Sequence, residues 1–527
     1  MSEKIKYPVG IQSFEKLRSL NYAYADKTMY IRKMLESPAY YFLSRPRRFG
    51  KSLFLSTLES YFEGKRELFN GLDIDSDEMD WTPRPVIKIS LNTIDPKSDS
   101  SLINYIHSAL LQYEKKYAMP DHEVDLSRRF ELLIQEAYHR TGRKVVILID
   151  EYDSPLLCTI DNEKLNQSYR DTLRALFSVL KNADEFIHFA FITGVSRFSH
   201  TSLFSGANNL LDISFDNRFA AICGITEEEL RKELMPGIIN FANSHSTTVE
   251  HTLSLLKENY DGYHFSKKCP DIYNPFSLLN ALYTKEIDNY WFRSGTASFM
   301  LTLLKRDNFF LPRLDCIESE TSDLSAKESY LNNPVALLYE AGYVTIKRYD
   351  DEIESYILGL PNREVSTSFS EALLPIYSGM DFMSCRDSFS LMRRSLLKGE
   401  PDTFMHALQT FLEGNPYSNT EIAKRETYFK NNIYIIFKAL GFMPRVEEET
   451  CRSRMDVMLR TKSYIYIFEL KTNGDADKAR EQINDRGYAL PYADEGRKII
   501  TIAANYSTAR NNIDSWYISE PTATPFL

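Results

Sequence analysis

Two stretches of the chain are apolar without interruption and then turn polar. Tyr41-Phe42-Leu43 runs into Ser44-Arg45-Pro46-Arg47-Arg48-Phe49-Gly50-Lys51-Ser52, and Val145-Val146-Ile147-Leu148-Ile149 runs into Asp150-Glu151. A continuous aliphatic run of that length predicts a strand of a parallel sheet, buried on both faces. Residues 85–91 and 186–193 read as two more such strands, and helical spacing appears at 53–62, 100–117 and 126–141. Strands alternating with helices predict an α/β fold, a parallel sheet with helices on both faces. Before it, 7–18 reads as a turn and a short helix, and Asp26 caps a helix at 29–35.

Downstream the pattern changes. Residues 260–265 read as a turn that closes the first domain, and 275–283 and 296–305 as helices. A helix at 334–342, stopped by Gly342, precedes strands at 343–349 and 354–360, which is the outline of a winged helix. Such an element binds DNA or packs, and the acids Asp350 and Asp351 at the hairpin tip favour packing. Helices follow at 367–398 and 401–412, with Phe382, Phe389, Leu391, Leu396 and Leu397 as expected core residues, and Gly414-Asn415-Pro416 makes a break. Beyond it lie a helix at 426–440, strands at 455–459 and 464–471, and a helix at 477–486. The expected domains are 1–265, 266–415 and 416–527.

Composition narrows the function class. A chain of 527 residues with 43% hydrophobic content can build several packed cores. Its net charge of −10 excludes a wholly basic wrapper of nucleic acid, so any such contact must be local. The six cysteines (158, 223, 269, 316, 385 and 451) form no CxxC pair, which suggests neither a zinc site nor a disulfide framework. No signal peptide and no membrane-spanning run is read, so a cytoplasmic protein is expected.

The first polar junction carries phosphate chemistry. Gly-Lys-Ser at a strand-to-helix turn is the context of a P-loop, with backbone N–H groups of Arg48, Phe49, Gly50, Lys51 and Ser52 around the phosphates. Lys51 would reach the β and γ oxygens and the Ser52 hydroxyl would hold Mg²⁺. The generic pattern asks for glycine where this chain has Arg45, and Pro46 offers no N–H. Asp150 and Glu151 supply the second half: Asp150 for the Mg²⁺ shell and Glu151 to polarise the attacking water. The strand ending in Thr193-Gly194-Val195-Ser196-Arg197 places Thr193 or Ser196 to sense the γ-phosphate. Arg197 either acts on the phosphate, in cis or from a neighbour in a homo-oligomer, or is a surface ion-pair partner.

These residues resemble the AAA-ATPase-like proteins that carry a C-terminal PD-(D/E)XK nuclease domain. The likeness rests on Tyr7-Pro8-Val9-Gly10-Ile11, Tyr24-Ala25-Asp26-Lys27-Thr28, Ser44 to Ser52, Ile149-Asp150-Glu151-Tyr152-Asp153, Thr193 to Arg197, Tyr260-Asp261-Gly262-Tyr263 and Tyr273-Asn274-Pro275-Phe276-Ser277. The family's P-loop also reads Arg-Pro-Arg-Arg, so Arg45 is a family trait. The resemblance implies ATP and Mg²⁺ as cofactors, and the segment around Asp26 could line the adenine side or serve as a packing arm.

The C-terminal block is the second chemical centre. Alternation puts Glu469 and Lys471 on one face of their strand. Asp456 joins them only if the pairing register is right or a bulge shifts it. Two carboxylates can hold Mg²⁺ on a scissile phosphate, and a neighbouring lysine helps deprotonate water or neutralises developing charge. The set resembles the PD-(D/E)XK core, which implies accessory roles for Glu426 and Gln482; Tyr488-Ala489-Leu490-Pro491-Tyr492 also resembles the family. Met455 stands where the superfamily often has proline. The expected protein binds and hydrolyses ATP and cuts nucleic acid, DNA ahead of RNA. The alternative is an ATP-dependent switch or scaffold whose C-terminal domain binds without cutting.

Overall fold

The computed structural model describes residues 5–37, 40–92, 94–119, 124–197, 203–204, 210–293, 298–324, 334–378, 386–413, 422–449 and 454–520. The chain forms two compact units: Met1–Ser294 with Glu318–Asn362, and Gly295–Ile317 with Arg363–Leu527. Residues 266–415, read from sequence as one connector, are shared between them.

The first unit is built on five parallel strands, β1 (Tyr40–Ser44), β2 (Val86–Ser90), β3 (Val145–Asp150), β4 (Ile187–Gly194) and β5 (Leu210–Asp212), in the order β2-β3-β4-β1-β5. Side-chain alternation divides β4 between two layers. Helix α1 (Lys51–Phe62) follows β1 and covers one of them, where Phe54 and Phe62 meet Phe191 and Phe189. Ala190 and Ile192 face the other way. They join the core formed with α2 (Asp99–Lys116), α3 (Leu126–Thr141) and α4 (Glu163–Asn182), to which Ile106, Phe130 and Phe177 contribute. Helices therefore cover both faces, as the uninterrupted apolar runs require.

The same unit continues through α5 (Pro275–Thr284), whose N-terminus is capped by the Asn274 side chain, which accepts the N–H groups of Phe276 at 3.0 Å and Ser277 at 3.2 Å. It ends in a winged-helix-like element. Strands β6 (Ile317–Glu320), β7 (Thr345–Asp350) and β8 (Ser355–Gly359) form a sheet in the order β6-β8-β7, and helix α6 (Pro334–Ala341) precedes the β7/β8 hairpin. Gly342, at φ 86°, stops α6, and an added Cβ would lie 2.8 Å from the Pro46 ring. The element thus packs against the phosphate loop, in line with its acidic tip.

In the second unit, α7 (Arg363–Ser378), α8 (Arg386–Lys398), α9 (Pro401–Glu413) and α10 (Ile422–Ala439) accompany a mixed sheet. Its strands β9 (Arg445–Glu449), β10 (Arg454–Arg460), β11 (Tyr464–Thr472), β12 (Lys498–Ser507) and β13 (Asn512–Ser519) are neighbours in chain order. All pairs are antiparallel except β11 and β12, which are parallel and joined across α11 (Ala476–Arg486). Ile465 and Ile467 pack beneath Ala479 and Ile483 of α11. Residues of the opposite face meet the other helices: Phe468 packs on Phe437 and Phe404, and the Tyr466 hydroxyl donates to Leu396 O at 2.7 Å. The segment after Ser298–Arg306 is stitched to α10, where Asn431 Oδ1 accepts from Leu311 N at 2.8 Å and Lys438 pairs with Asp315 at 2.7 Å.

Of the expected core residues on α8, Phe389 and Leu396 are buried, whereas Leu391 and Leu397 are 43% and 47% exposed. The 3.6-residue period lets one stripe of this amphipathic helix face inward, and these two fall off it. Phe382 lies outside the described residues. Among the described residues no helix is long and apolar enough to cross a membrane.

Candidate functional site

The junction between β1 and α1 is a formed loop. Gly50, at φ 96°, caps α1, so the first-turn N–H groups of the helix point out of its end without intrahelical acceptors. Lys51 Nζ donates to Arg45 O at 2.9 Å and Pro46 O at 3.0 Å. An ammonium has three donors, so one remains for the cradle. Burial pulls the Lys51 pKa down, against the attraction of Glu151, Asp150 and Asp153. The loop is shaped to receive an anion.

The loop residues divide their tasks. Arg45 is buried, and its guanidinium donates to Ser44 O and Ser214 O, both at 2.8 Å, while lying 4.2 Å over the Phe265 ring. It therefore serves the scaffold, which accounts for its place where glycine is usual. The Phe49 ring packs edge-on against Tyr263 and Phe265, so only its backbone faces the loop. Arg48 turns the chain at φ 68° and its guanidinium lies 5.1 Å from the Phe276 ring. Ser52 is half-buried on the first turn of α1.

Sheet order brings the other residues to the same edge, since β4 lies between β1 and β3. The Thr193 hydroxyl is 3.5 Å from Asp150 Oδ1. Glu151 adopts φ 52°, an uncommon left-handed conformation for a residue with a side chain. Burial raises its carboxyl pKa, Lys51 and Arg47 oppose the rise, and Asp150 and Asp153 add to it. Ser196 is taken up by Asp153, which accepts its N–H at 2.6 Å and its hydroxyl at 2.7 Å. Of the two expected sensors, Thr193 is thus the one directed at Asp150. Arg197 pairs with Asp212 at 2.7 Å, lies 4.8 Å over Phe215, and donates its backbone N–H to Glu340 of α6 at 2.9 Å. In this conformation its guanidinium is engaged by Asp212.

Beside the loop lies an apolar cleft of about 600 Å³, open mouth included, lined by Tyr24, Ala25, Gly50, Leu53, Gly224 and Leu279 among others. Asp26 does not cap the helix Met29–Leu35, whose N-cap is Thr28 with no side-chain cap; it turns the chain ahead of it, accepting the Thr28 N–H at 2.8 Å and the Asp73 N–H at 2.7 Å. Lys27 is consumed by Glu229 and Ala221 O.

The C-terminal cluster depends on register. Val457 stands opposite Phe468 and Met458 opposite Ile467, so continuing the ladder by one residue sets Asp456 opposite Glu469. Directly opposed residues of an antiparallel pair share a face. No bulge is needed, and Asp456, Glu469 and Lys471 extend the row of Met458 and Ile467 under α11. Asp456 Oδ2 accepts the Leu470 N–H at 2.8 Å. Lys471 Nζ bonds Glu469 Oε1 at 2.8 Å and Gln482 Oε1 at 2.6 Å, and Gln482 Nε2 donates to the Tyr488 hydroxyl at 2.9 Å. Burial, followed by the Asp456 charge, raises the Glu469 pKa, and Lys471 and the Tyr488 hydroxyl oppose the rise. Its Oε2 is buried and accepts no hydrogen bond of good geometry.

Two members of this cluster are not evident from the motif alone. Lys430 of α10 approaches Asp456 Oδ1 at 4.0 Å, one helical turn beyond Glu426, whose own side chain lies outside the described residues. Tyr488, six residues past Gln482, closes the polar ring. No cluster of three or more His, Cys, Asp or Glu side chains able to hold a metal occurs among the described residues. Two carboxylates, one with a buried oxygen that lacks a donor, still fit Mg²⁺, which takes one or two carboxylates and completes its shell with water and substrate phosphate.

Comparison with known proteins agrees with both halves. The family model described as Predicted AAA-ATPase matches residues 8–204, and that of the PD-(D/E)XK nuclease superfamily matches 424–516. A protein of Azotobacter chroococcum mcd 1, named "Uncharacterized protein in vnfD 5'region", is 36% identical over 515 residues, which is 96% of this chain and 97% of the relative. The chain belongs to the family of AAA-ATPase-like proteins with a C-terminal PD-(D/E)XK nuclease-superfamily domain.

Proposed function

We propose that this protein hydrolyses ATP and uses a Mg²⁺-dependent nuclease site to cut nucleic acid, DNA ahead of RNA, with the nucleotide state controlling cleavage. The observation that carries the reading is the convergence of Asp456, Glu469 and Lys471 on one sheet face in a chain that also carries a Gly-Lys-Ser strand-to-helix loop. The functional division is an ATPase region at 1–265, a connector at 266–415 and a nuclease region at 416–527.

At the first site the base occupies the apolar cleft beside Gly50 and Leu53, and the amides of Arg48 to Ser52 with Lys51 hold the phosphates. Ser52 and Asp150 are the side chains for Mg²⁺, Thr193 senses the γ-phosphate and Glu151 orients water. At the second site Asp456 and Glu469 hold the metal, and Glu426 and Gln482 assist. Mg²⁺ there would polarise the phosphate and lower the pKa of a water. Lys471, oriented by Gln482, takes or shields the developing charge. Glu469 must be ionised for this, so protons compete with Mg²⁺ for its carboxylate and cleavage is lost as pH falls.

The switch reading, in which the C-terminal domain binds without cutting, makes a different prediction. Incubation of linear DNA, circular DNA and RNA with Mg²⁺ separates the two: cleavage by the wild type and none by Lys471→Ala supports nuclease action. ATP turnover raised by nucleic acid with no substrate cut supports the switch.

A further inference from the structure

Hydrolysis of ATP at a P-loop is accelerated by an arginine on the γ-phosphate, beyond the loop lysine and the metal, and that arginine comes either from the same chain or from a neighbour. Four arginines lie near enough in sequence or space to qualify. Arg45 is spent on loop carbonyls beneath the cradle. Arg48 lies over Phe276, at the side of the loop. Arg197 is paired with Asp212 and stacked on Phe215.

Arg47 has none of these side-chain engagements, neither the carbonyls of Arg45, the ring of Arg48 nor the carboxylate of Arg197. Its side chain is exposed, and among the described residues no carboxylate pairs with it. Its backbone is nevertheless fixed. The Trp291 indole Nε1 donates to Arg47 O at 3.0 Å, the preceding Pro46 packs against Gly342, and the Pro46 carbonyl binds Lys51 Nζ. This fixed backbone sets Arg47 directly after the residue whose carbonyl binds Lys51, and the Arg47 charge opposes the rise of the Glu151 pKa.

We infer that Arg47 is the γ-phosphate arginine of this ATPase, supplied in cis from within the P-loop, so that hydrolysis needs no arginine from a second copy. The inference rests on the ATPase reading above. In the step, a water oxygen bonds to the γ-phosphorus while the bond from that phosphorus to the β,γ-bridging oxygen breaks. The bridging oxygen keeps the electron pair and leaves as ADP, and Glu151 receives the water proton. Arg47 stays protonated throughout and its N–H fork holds the γ oxygens as charge redistributes.

The test compares the full-length wild type with Arg47→Ala and Arg47→Lys for ATP binding, ADP binding and ATP turnover over a dilution series. Arg47→Ala should lower turnover by about 100-fold or more, in the range of a lost transition-state donor. Its ADP affinity should stay within about twofold while its preference for ATP over ADP falls, because only the γ-phosphate contact is lost. Lysine should restore less than about a tenth of the rate, since it lacks the planar fork. Wild-type specific activity should not change on dilution. Turnover of Arg47→Ala at the wild-type rate, or equal loss of ATP and ADP affinity, overturns the inference, as does specific activity that falls when the protein is diluted. A wild type that binds neither nucleotide defeats the ATPase reading itself, and this inference with it.

Discussion

Arg45 occupies the position where a glycine would leave a phosphate loop unencumbered, and its buried guanidinium instead gathers backbone carbonyls of Ser44 and Ser214. Removing the guanidinium leaves two buried carbonyls without their charged donor, so Arg45→Ala should cost on the order of 2–3 kcal/mol in urea unfolding and weaken ATP binding with it. A second residue-scale prediction concerns Asp261. Burial raises its pKa from 3.8 to about 7, with the Gly262 amide opposing and Asp271 adding. The native state therefore binds a proton that the unfolded chain releases. Its stabilising contribution is present below about pH 4 and is lost as pH rises through about 7, on the order of 4 kcal/mol in all. Asp261→Asn should flatten that slope in unfolding measured from pH 4 to 8, and an unchanged slope would contradict the assignment. At this scale the sequence made Lys51, Asp150, Glu151 and the Asp456/Glu469/Lys471 set legible, because their chemistry depends on residue type at fixed spacing. The tasks of Arg45 and Ser196 were not legible, since both are set by residues far along the chain, Ser214 and Asp153.

Between strands and helices, turns decide where these groups point. Gly194 closes β4, and a Cβ there would lie 2.6 Å from both Asp153 Oδ1 and the Tyr152 ring. The Asp153 carboxylate holds the N–H groups of Val195 and Ser196. Gly194→Ala should thus cost about 1–3 kcal/mol, as overpacking does, and slow ATP turnover by moving the turn after Thr193; equilibrium unfolding and turnover check both. Four strands of the first sheet were readable from their apolar runs, while β5 (Leu210–Asp212) was too short to read, and helix 126–141 agrees with Leu126–Thr141. The face of Asp456 was not readable. Its side follows from strand pairing, and a slip of one residue would have turned it away from Glu469.

On the scale of the molecule, the chain leaves one compact unit for the other and returns. Residues 295–317 and 363–413 belong with the C-terminal sheet, although the boundaries read from sequence fall at 265 and at Gly414-Asn415-Pro416. Local patterns report helices and turns but carry no signal for which distant sheet a helix covers. The consequence is testable. A fragment of 416–527 keeps the motif residues and α10 yet loses α9, whose Phe404 packs on Phe468, and α8, whose Leu396 O binds Tyr466. It should lack fixed tertiary structure by near-ultraviolet circular dichroism, whereas a well-ordered spectrum would show that the sheet needs no upstream partner.

The proposed function joins a working P-loop and a working nuclease face in one chain. Cleavage of linear DNA in Mg²⁺, with and without ATP, tests it in wild type beside Lys51→Ala and Lys471→Ala. The expected result is cutting by the wild type that responds to ATP, loss of cutting in Lys471→Ala, and loss of the ATP response in Lys51→Ala. Cutting that ignores both ATP and Lys51→Ala would contradict the coupling, and a Lys471→Ala protein that cuts like the wild type would contradict the site.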